Sequence, residues 1–446
     1  LKSLDFSAER RAARDSDILR PQGKVVQVVG MVVEASGPRA PVGDICLVYP
    51  EGGAFERRRA IPCEVVGFRQ GRILLMPYGE MRGIQPGSRV LATGSPSVCQ
   101  VGEELLGRVI DGTGNAIDGQ PPPACRRKYP LYGREINPIS RGRIREPLST
   151  GVKSIDALLT CGKGQRMGIL AGSGVGKSVT LGMIARNTSA DVNVIALIGE
   201  RGREVREFIE RDLGEAGIRR SVVVVSTSEK SPLVKARGAL VATTVAEYFR
   251  DRGLDVLLLM DSVTRFAMAL REVGLAIGEP PTTKGYTPSV FAALPRLVER
   301  AGMGEAERGS VTGLYTVLVE GDDLTDPVAD TARSILDGHV VLSRDLAARD
   351  HYPAVDVLQS TSRLMMDLAP PEQRRAAARL RRLLAAYRDA EDLVNIGAYQ
   401  AGTNADVDEA LAKRPAIEAF LTQGMEESWS LEASVAALLT LFPGEA

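Results

Sequence analysis

The chain has 446 residues, 44% hydrophobic and 25% charged, with Lys+Arg and Asp+Glu equal at 56 each. That length predicts several domains, and the charge balance removes any bulk positive field for nucleic acid or an anionic membrane. Five scattered cysteines (Cys46, Cys63, Cys99, Cys125, Cys161) without a CxxC pair argue for reduced thiols over zinc or disulfides, and no apolar run reaches the roughly 20 residues that span a bilayer. The first 20 residues lack an apolar signal core, so the expected location is cytoplasmic.

In chain order, residues 1–21 form a segment with Leu4, Phe6, Ile18 and Leu19 among charges, an amphipathic pattern that suits a regulatory contact. Residues 22–97 hold the short β-rich runs "VVQVVGMVVEAS", "GDICLVY", "IPCEVVGF", "GRILLMPY" and "GSRVLATG", whose spacing predicts a small barrel or sandwich. Residues 98–148, with "DGTGNAIDGQPPP" and "NPISRGRIREP", read as an extended connection. From 149 to 368 strands and helices alternate. "RMGIL", "VNVIALIG", "SVVVVSTS" and "DVLLLMDS" are continuous apolar runs, as expected of a parallel sheet covered on both faces. Between them, "REVREFIERDLGEAG" puts Val205, Phe208, Ile209 and Leu213 on one helical face. Residues 369–446 open with the Arg/Ala/Leu-rich helical stretch "RRAAARLRRLLAAYRDAEDLV". The fold class is α/β, with a β-barrel before the parallel-sheet domain and a helical domain after it.

The octet "AGSGVGKS" (Ala171–Ser178) follows one predicted strand and opens a helix. It fits a phosphate-binding loop with alanine at the commoner first glycine. Gly172, Ser173, Gly174, Val175 and Gly176 let the backbone curl so that N–H groups converge on phosphate oxygens. Lys177 supplies a cation to the β- and γ-phosphates, Ser178 a hydroxyl to Mg²⁺, and Val179 continues the loop into its helix. Asp261 ends the buried run "DVLLLMDS", where ligands gather in open α/β sheets, and suits a metal anchor acting largely through water. Its alternative is a helix N-cap. Glu200, in "LIGERGRE" and 23 residues after Lys177, suits a water-activating base. Its alternative is a surface glutamate paired with Arg201 or Arg203.

These motifs, with "PAVDVLQSTS" (Pro353–Ser362), resemble the hexameric ATPases related to the rotary F1 motor, within the RecA-like P-loop group. The resemblance runs from Val25 to Gln423. It implies ATP and Mg²⁺ as ligands, Glu200 polarising the attacking water, and Glu204 holding metal-bound water. Arg201 and Arg265 would face the γ-phosphate, Tyr352 would stack on adenine, and Arg363 would reach a neighbouring subunit's nucleotide as an arginine finger. "GYTPSVFAALPRLVERAG" and "YRDAEDLVNIGAYQAGTNADVDEA" are similar to type III protein-export ATPases. "GEMRGIQPGSRV" and "LLTCGKGQR" are closer to the flagellar than to the virulence-secretion branch. One departure stands out: "FLTQGM" puts Gly424 and Met425 where the F1 β subunit carries a Pro-Phe pair.

The resemblance further implies a homohexamer with a central pore, placed peripherally at the cytoplasmic side of the inner membrane. A stator partner would bind the N-terminal segment. A coiled-coil stalk, the export gate and chaperone–cargo complexes would meet the C-terminal helices. The alternatives are a virulence-type secretion ATPase, an F1 catalytic subunit, a non-catalytic α-type subunit (which carries glutamine where Glu200 stands) and a Rho-like RNA motor. The last needs a basic, aromatic surface for single strands, and residues 24–94 hold few aromatics. The arginines at 374, 375, 379, 381, 382 and 388 read as a solvated or protein-facing helix surface, with no specific nucleic acid expected.

Overall fold

The computed structural model describes residues 22–50, 60–134, 136–305, 308–319, 321 and 325–443; the N-terminal segment expected to be regulatory lies outside them. Packing divides the chain into two compact units. One runs to Val98 and takes in Val273–Glu279; the other holds Cys99–Glu272 and everything from Pro280.

The run from Val25 to Ser36 is two strands, not one. Gly30 takes a left-handed φ of +56°, an angle glycine adopts at little cost. The chain therefore reverses there between β1 (Gln22–Val29) and β2 (Val32–Ser36). Four further strands, β3 (Asp44–Tyr49), β4 (Ile61–Arg69), β5 (Arg72–Pro77) and β6 (Arg89–Pro96), close a barrel in the order β1-β2-β5-β4-β3-β6. The barrel, rather than the sandwich, is the outcome. Its interior is filled by residues such as Val33, Val48, Val65, Leu75 and Val90, and closure leaves no unpaired edge.

The second unit is built on a sheet of β7 (Val109–Asp111), β8 (Arg166–Ala171), β9 (Val192–Ile198), β10 (Ser221–Ser226), β11 (Asp255–Asp261), β12 (Ser310–Leu318), β13 (Gly338–Leu342) and β14 (Val355–Ser362). Their order is β14-β13-β8-β12-β11-β9-β10-β7. Neighbours are parallel except β14, which pairs antiparallel with β13 at one edge. Every residue of β9 and β10 is buried, which accounts for their largely apolar sequences. At the opposite edge lies β7, so the stretch expected to be a plain extended connection contributes a strand to the sheet.

Helices flank this sheet: α1 (Lys177–Asn187), α2 (Gly202–Glu207), α3 (Gly214–Arg219), α4 (Pro232–Asp251), α5 (Val263–Ala276) and α6 (Pro327–Ile335). The single helix expected from Arg203 to Gly217 is α2 and α3 joined by a π-turn at Phe208–Leu213. The C-terminal part is helical as expected, with α7 (Pro371–Asn395), α8 (Ala405–Leu421) and α9 (Leu431–Leu441). Ala376, Ala377, Leu380 and Leu383 of α7 are buried at helical spacing. Several of its arginines have partners within the chain: Arg379 and Arg382 pair with Asp406, and Arg388 with Asp356. No helix among the described residues is long and apolar enough to cross a membrane.

Candidate nucleotide site

The site is assembled at the carboxyl ends of β8, β9 and β11. After β8 the backbone turns through Gly174 (φ +80°) and Gly176 (φ +78°), angles that a β-carbon would strain. Val175 is buried and anchors the loop, while Ser173, Gly174 and Ser178 are exposed. Helix α1 then starts at Lys177 with no side chain capping it. Its first N–H groups therefore have no intrahelical acceptor and point, with the positive end of the helix dipole, toward the loop.

Lys177 Nζ donates to both carboxylate oxygens of Asp261 and lies 3.7 Å from Glu200 Oε1. Strand β12 lies between β8 and β11, and from it Thr316 Oγ1 donates to Asp261 Oδ1 at 2.7 Å. Asp261 is thus committed to the site. The cap of the following helix comes from Ser262, whose Oγ accepts from Arg265 N at 3.2 Å.

Glu200 is mostly buried beside the same lysine. Burial pushes its carboxyl up to about 7; Lys177 opposes that shift, and Asp261 and Glu204 add to it. Asp261 holds the ammonium closely, so Glu200 receives only part of its field. The surface-pairing alternative for Glu200 fails: Arg201 pairs with Glu204 at 3.3 Å and Arg203 with Glu207 at 2.6 Å. Both of those pairs are largely exposed. Gly199 (φ +75°) has the Arg265 side chain packed over it, 3.0 Å from where a β-carbon would stand, which brings Arg265 beside the Glu200 turn.

Tyr352 lies against the loop, since a β-carbon on Gly176 would meet its ring at 3.1 Å. Gln423 N donates to the Tyr352 carbonyl at 2.9 Å. The Gln423 carboxamide accepts from Lys153 N and donates to Gly151 O, both at 2.9 Å. Next along, Arg186 on α1 donates to the Met425 carbonyl at 2.6 Å. The Gly424–Met425 stretch is therefore tied to both Tyr352 and the loop's own helix.

The structure brings Lys177, Glu200, Asp261, Arg265 and Tyr352 around one loop, with the Arg201–Glu204 pair adjoining Glu200. Arg363 is elsewhere, following the edge strand β14, with its N–H on Asp337 O at 2.9 Å. The structure adds Thr316 and Gln423 to the residues that the sequence assigns to the site. Thr316 is one of several polar residues in "SVTGLYTVL", beside Ser310, Thr312 and Tyr315, so nothing local singles it out, and nothing local marks Gln423 as a partner of Lys153.

The donor set fits Mg²⁺–nucleotide. Backbone N–H groups and one ammonium suit polyphosphate, and the exposed Ser178 hydroxyl and the Asp261 carboxylate are oxygen donors of the kind a hard cation takes. Among the described residues no cluster of His, Cys, Asp and Glu could hold a metal alone. Mg²⁺ commonly completes its shell with water and substrate phosphates.

A parallel sheet that gathers such groups at its strand ends is the framework of P-loop nucleoside triphosphatases, and this protein is one. Family models agree. Residues 151–362 match the nucleotide-binding domain of the ATP synthase alpha/beta family, and residues 25–94 its beta-barrel domain. Residues 369–440 match the T3SS EscN ATPase C-terminal domain. The chain is 53% identical to a flagellum-specific ATP synthase of Bacillus subtilis, over 96% of this chain and 97% of that protein. It is 51% identical to a type 3 secretion system ATPase of Xanthomonas euvesicatoria, over 98% of each. The assembled ATPase EscN of enteropathogenic E. coli superposes with a TM-score of 0.88 at 43% identity, covering 94% of this chain and 99% of that one. EscN in complex with its central stalk EscO gives 0.86 at 42%, over 94% and 99%. The chain belongs to the ATP synthase alpha/beta family, in the branch with a type III secretion ATPase C-terminal domain, and is an ATP-hydrolysing enzyme.

Proposed function

We propose that this ATPase energises protein export through a type III apparatus of the flagellar kind, hydrolysing Mg²⁺-bound ATP as a homohexameric ring. The observation that carries the chemistry is the convergence of Lys177, Asp261 and Glu200 at neighbouring strand ends. Lys177 presents its ammonium to the β- and γ-phosphates, cradled by Gly172 to Gly176. Ser178 would hold Mg²⁺ directly, with Asp261 and Glu204 holding it through water, and the ion would supply positive charge to the phosphates. Glu200 takes a proton from the attacking water, a role that a carboxyl pushed up toward neutrality suits. Arg201 and Arg265 turn toward the γ-phosphate. Tyr352 stacks on adenine, opposite the Gly424–Met425 stretch. Arg363 serves the neighbouring subunit's site.

The assembled EscN structure supports the ring, and its complex with the central stalk EscO supports a stalk as partner, which we take to be a coiled coil. We place the stator contact in residues 1–21, and the export gate and chaperone–cargo complexes at the C-terminal helices. The enzyme then works peripherally at the cytoplasmic face of the inner membrane. The flagellar assignment draws on the Bacillus relative; the Xanthomonas relative supports the virulence-type alternative. Expression in a flagellar strain lacking its own export ATPase separates the two, since only a flagellar member restores motility. Lys177→Ala tests the site itself. Nucleotide binding and turnover should vanish together, and parental activity in the purified variant would remove the loop from the mechanism.

A further inference from the structure

The sheet edge around Arg363 gathers three basic groups, Arg333, His339 and Arg363, and among the described residues none of them meets a carboxylate. Arg333 sits in the last turn of α6. His339 lies on β13, with its Cα paired to Thr361 of β14. Arg363 Nη2 donates to the Arg333 carbonyl at 3.4 Å, and His339 Nε2 faces the Gln359 carbonyl at 3.1 Å. Arg333 Nε is buried without a hydrogen-bond partner. Among the described residues neither arginine has an ion pair. Asp337, which lies between them in the chain, is engaged by Arg166 at 3.0 Å. Asp330, one turn earlier on α6, is exposed and does not pair with Arg333.

Burial first, then Arg333 and Arg363, lower the affinity of His339 for a proton. The imidazole is therefore neutral at pH 7, and the two guanidinium groups are within electrostatic reach of it. An arginine in the last turn of a helix complements the helix dipole, which accounts for the sign of Arg333. It does not account for a buried, unpartnered Nε beside a second uncompensated guanidinium. Crowded like charges on a sheet edge are relieved by an anion from outside.

We propose that the Arg333 side chain positions a residue that acts in trans: with the Arg363 guanidinium resting on the Arg333 backbone carbonyl, the Arg333 charge keeps that group turned outward, toward the nucleotide polyphosphate bound by the adjacent copy of this chain. The inference rests on the reading of Arg363 as a trans residue. Arg333 does not touch the reacting atoms; it fixes where Arg363 can be.

Mixed rings test it. In rings verified as assembled, Arg333→Ala should lower kcat by about tenfold, because a misplaced catalytic group loses most of its effect. Its ATP affinity should stay within about twofold of the parent, a small change on the free-energy scale. Arg333→Lys, which keeps the charge, should recover much of the rate. Arg333→Ala chains co-assembled with Glu200→Gln chains place an intact Glu200 opposite an intact Arg333 at roughly a quarter of randomly formed interfaces. Turnover should then rise severalfold above the mean of the two parents. Parental kcat in Arg333→Ala rings overturns the proposal. So does a loss that mixing fails to rescue while Arg363→Ala is rescued by the same partner, since that marks a role within the chain. If Arg363→Ala is not rescued either, the trans reading of Arg363 fails and the proposal falls with it.

Discussion

Asp261 and Glu200 both border one ammonium, and Asp261 holds it. Nearly all that distinguishes their roles follows from this. Asp261 is ion-paired and receives the Thr316 hydroxyl, so its charge is secure. Glu200 is buried with a partial counter-charge and two acidic neighbours, so its carboxyl rises to about 7. Glu200→Gln should therefore bind ATP as the parent does and lose turnover, because an amide hydrogen-bonds water without accepting its proton. Turnover within about twofold of the parent, roughly 0.4 kcal/mol in barrier, would refute the assignment. The same shift has a stability consequence in nucleotide-free protein. A carboxyl whose folded pKa lies above its unfolded value, here about 7 against 4.5, contributes stability below the lower value and loses it as pH rises through the upper. Thermal midpoints of Glu200→Gln minus parent should thus grow more positive from about pH 5 to pH 8. A difference that stays flat over that range would contradict the buried, partly paired environment.

At the scale of elements, the loop's helix and the π-turn fit through one glycine. A β-carbon on Gly182 of α1 would stand 2.7 Å from Asp212 Cβ and 2.8 Å from Asp212 O, on the π-turn. Alanine gains about 1 kcal/mol of helix propensity over glycine, whereas overpacking costs about 1–3 kcal/mol. With a backbone oxygen in the way the upper part of that range applies. Gly182→Ala should therefore lower the urea midpoint by an amount equivalent to about 1–2 kcal/mol at unchanged slope; an unchanged midpoint would mean the π-turn yields freely. The π-turn also shows where sequence reading stops. Val205, Phe208, Ile209 and Leu213 fit a 3.6-residue repeat, yet the wider turn keeps Phe208 and Leu213 buried and leaves Ile209 half-buried. Residues whose role follows from their own local context were legible: the glycines of the loop, and the acids that close buried strands. Residues whose role depends on distant pairings were not. Thr316 meets Asp261 across 55 positions and Gln423 meets Lys153 across 270, and no local pattern encodes either. The strand Val109–Asp111 was hidden for the same reason, being short and paired with β10 more than a hundred residues on.

For the whole molecule, the separation of Arg363 from the Lys177 cluster makes the proposed trans role a claim about how activity depends on assembly. Within one chain Arg363 follows the edge strand β14, and its contacts run to Asp337 and Arg333 rather than to Lys177, Glu200 or Asp261. On the proposed trans reading of Arg363, a chain alone binds nucleotide but lacks the cation that a neighbour supplies. Such a finger contributes roughly 10³–10⁵ in rate in GTPases, because it neutralises charge that develops only in the transition state. Turnover per chain should therefore rise with protein concentration and level off where sedimentation shows complete rings, while ATP affinity per chain stays nearly constant. Lys177→Ala chains sharpen the test, since they retain Arg363 yet cannot turn over. Added to parent protein diluted below the assembly range, they should raise turnover per parent chain by providing neighbours. Inhibition under those conditions would mean that sites fire only in concert around an all-active ring. Constant turnover per chain across the dissociation range, with or without the added variant, would show that each chain carries a complete site and that Arg363 has no part in its neighbour's chemistry.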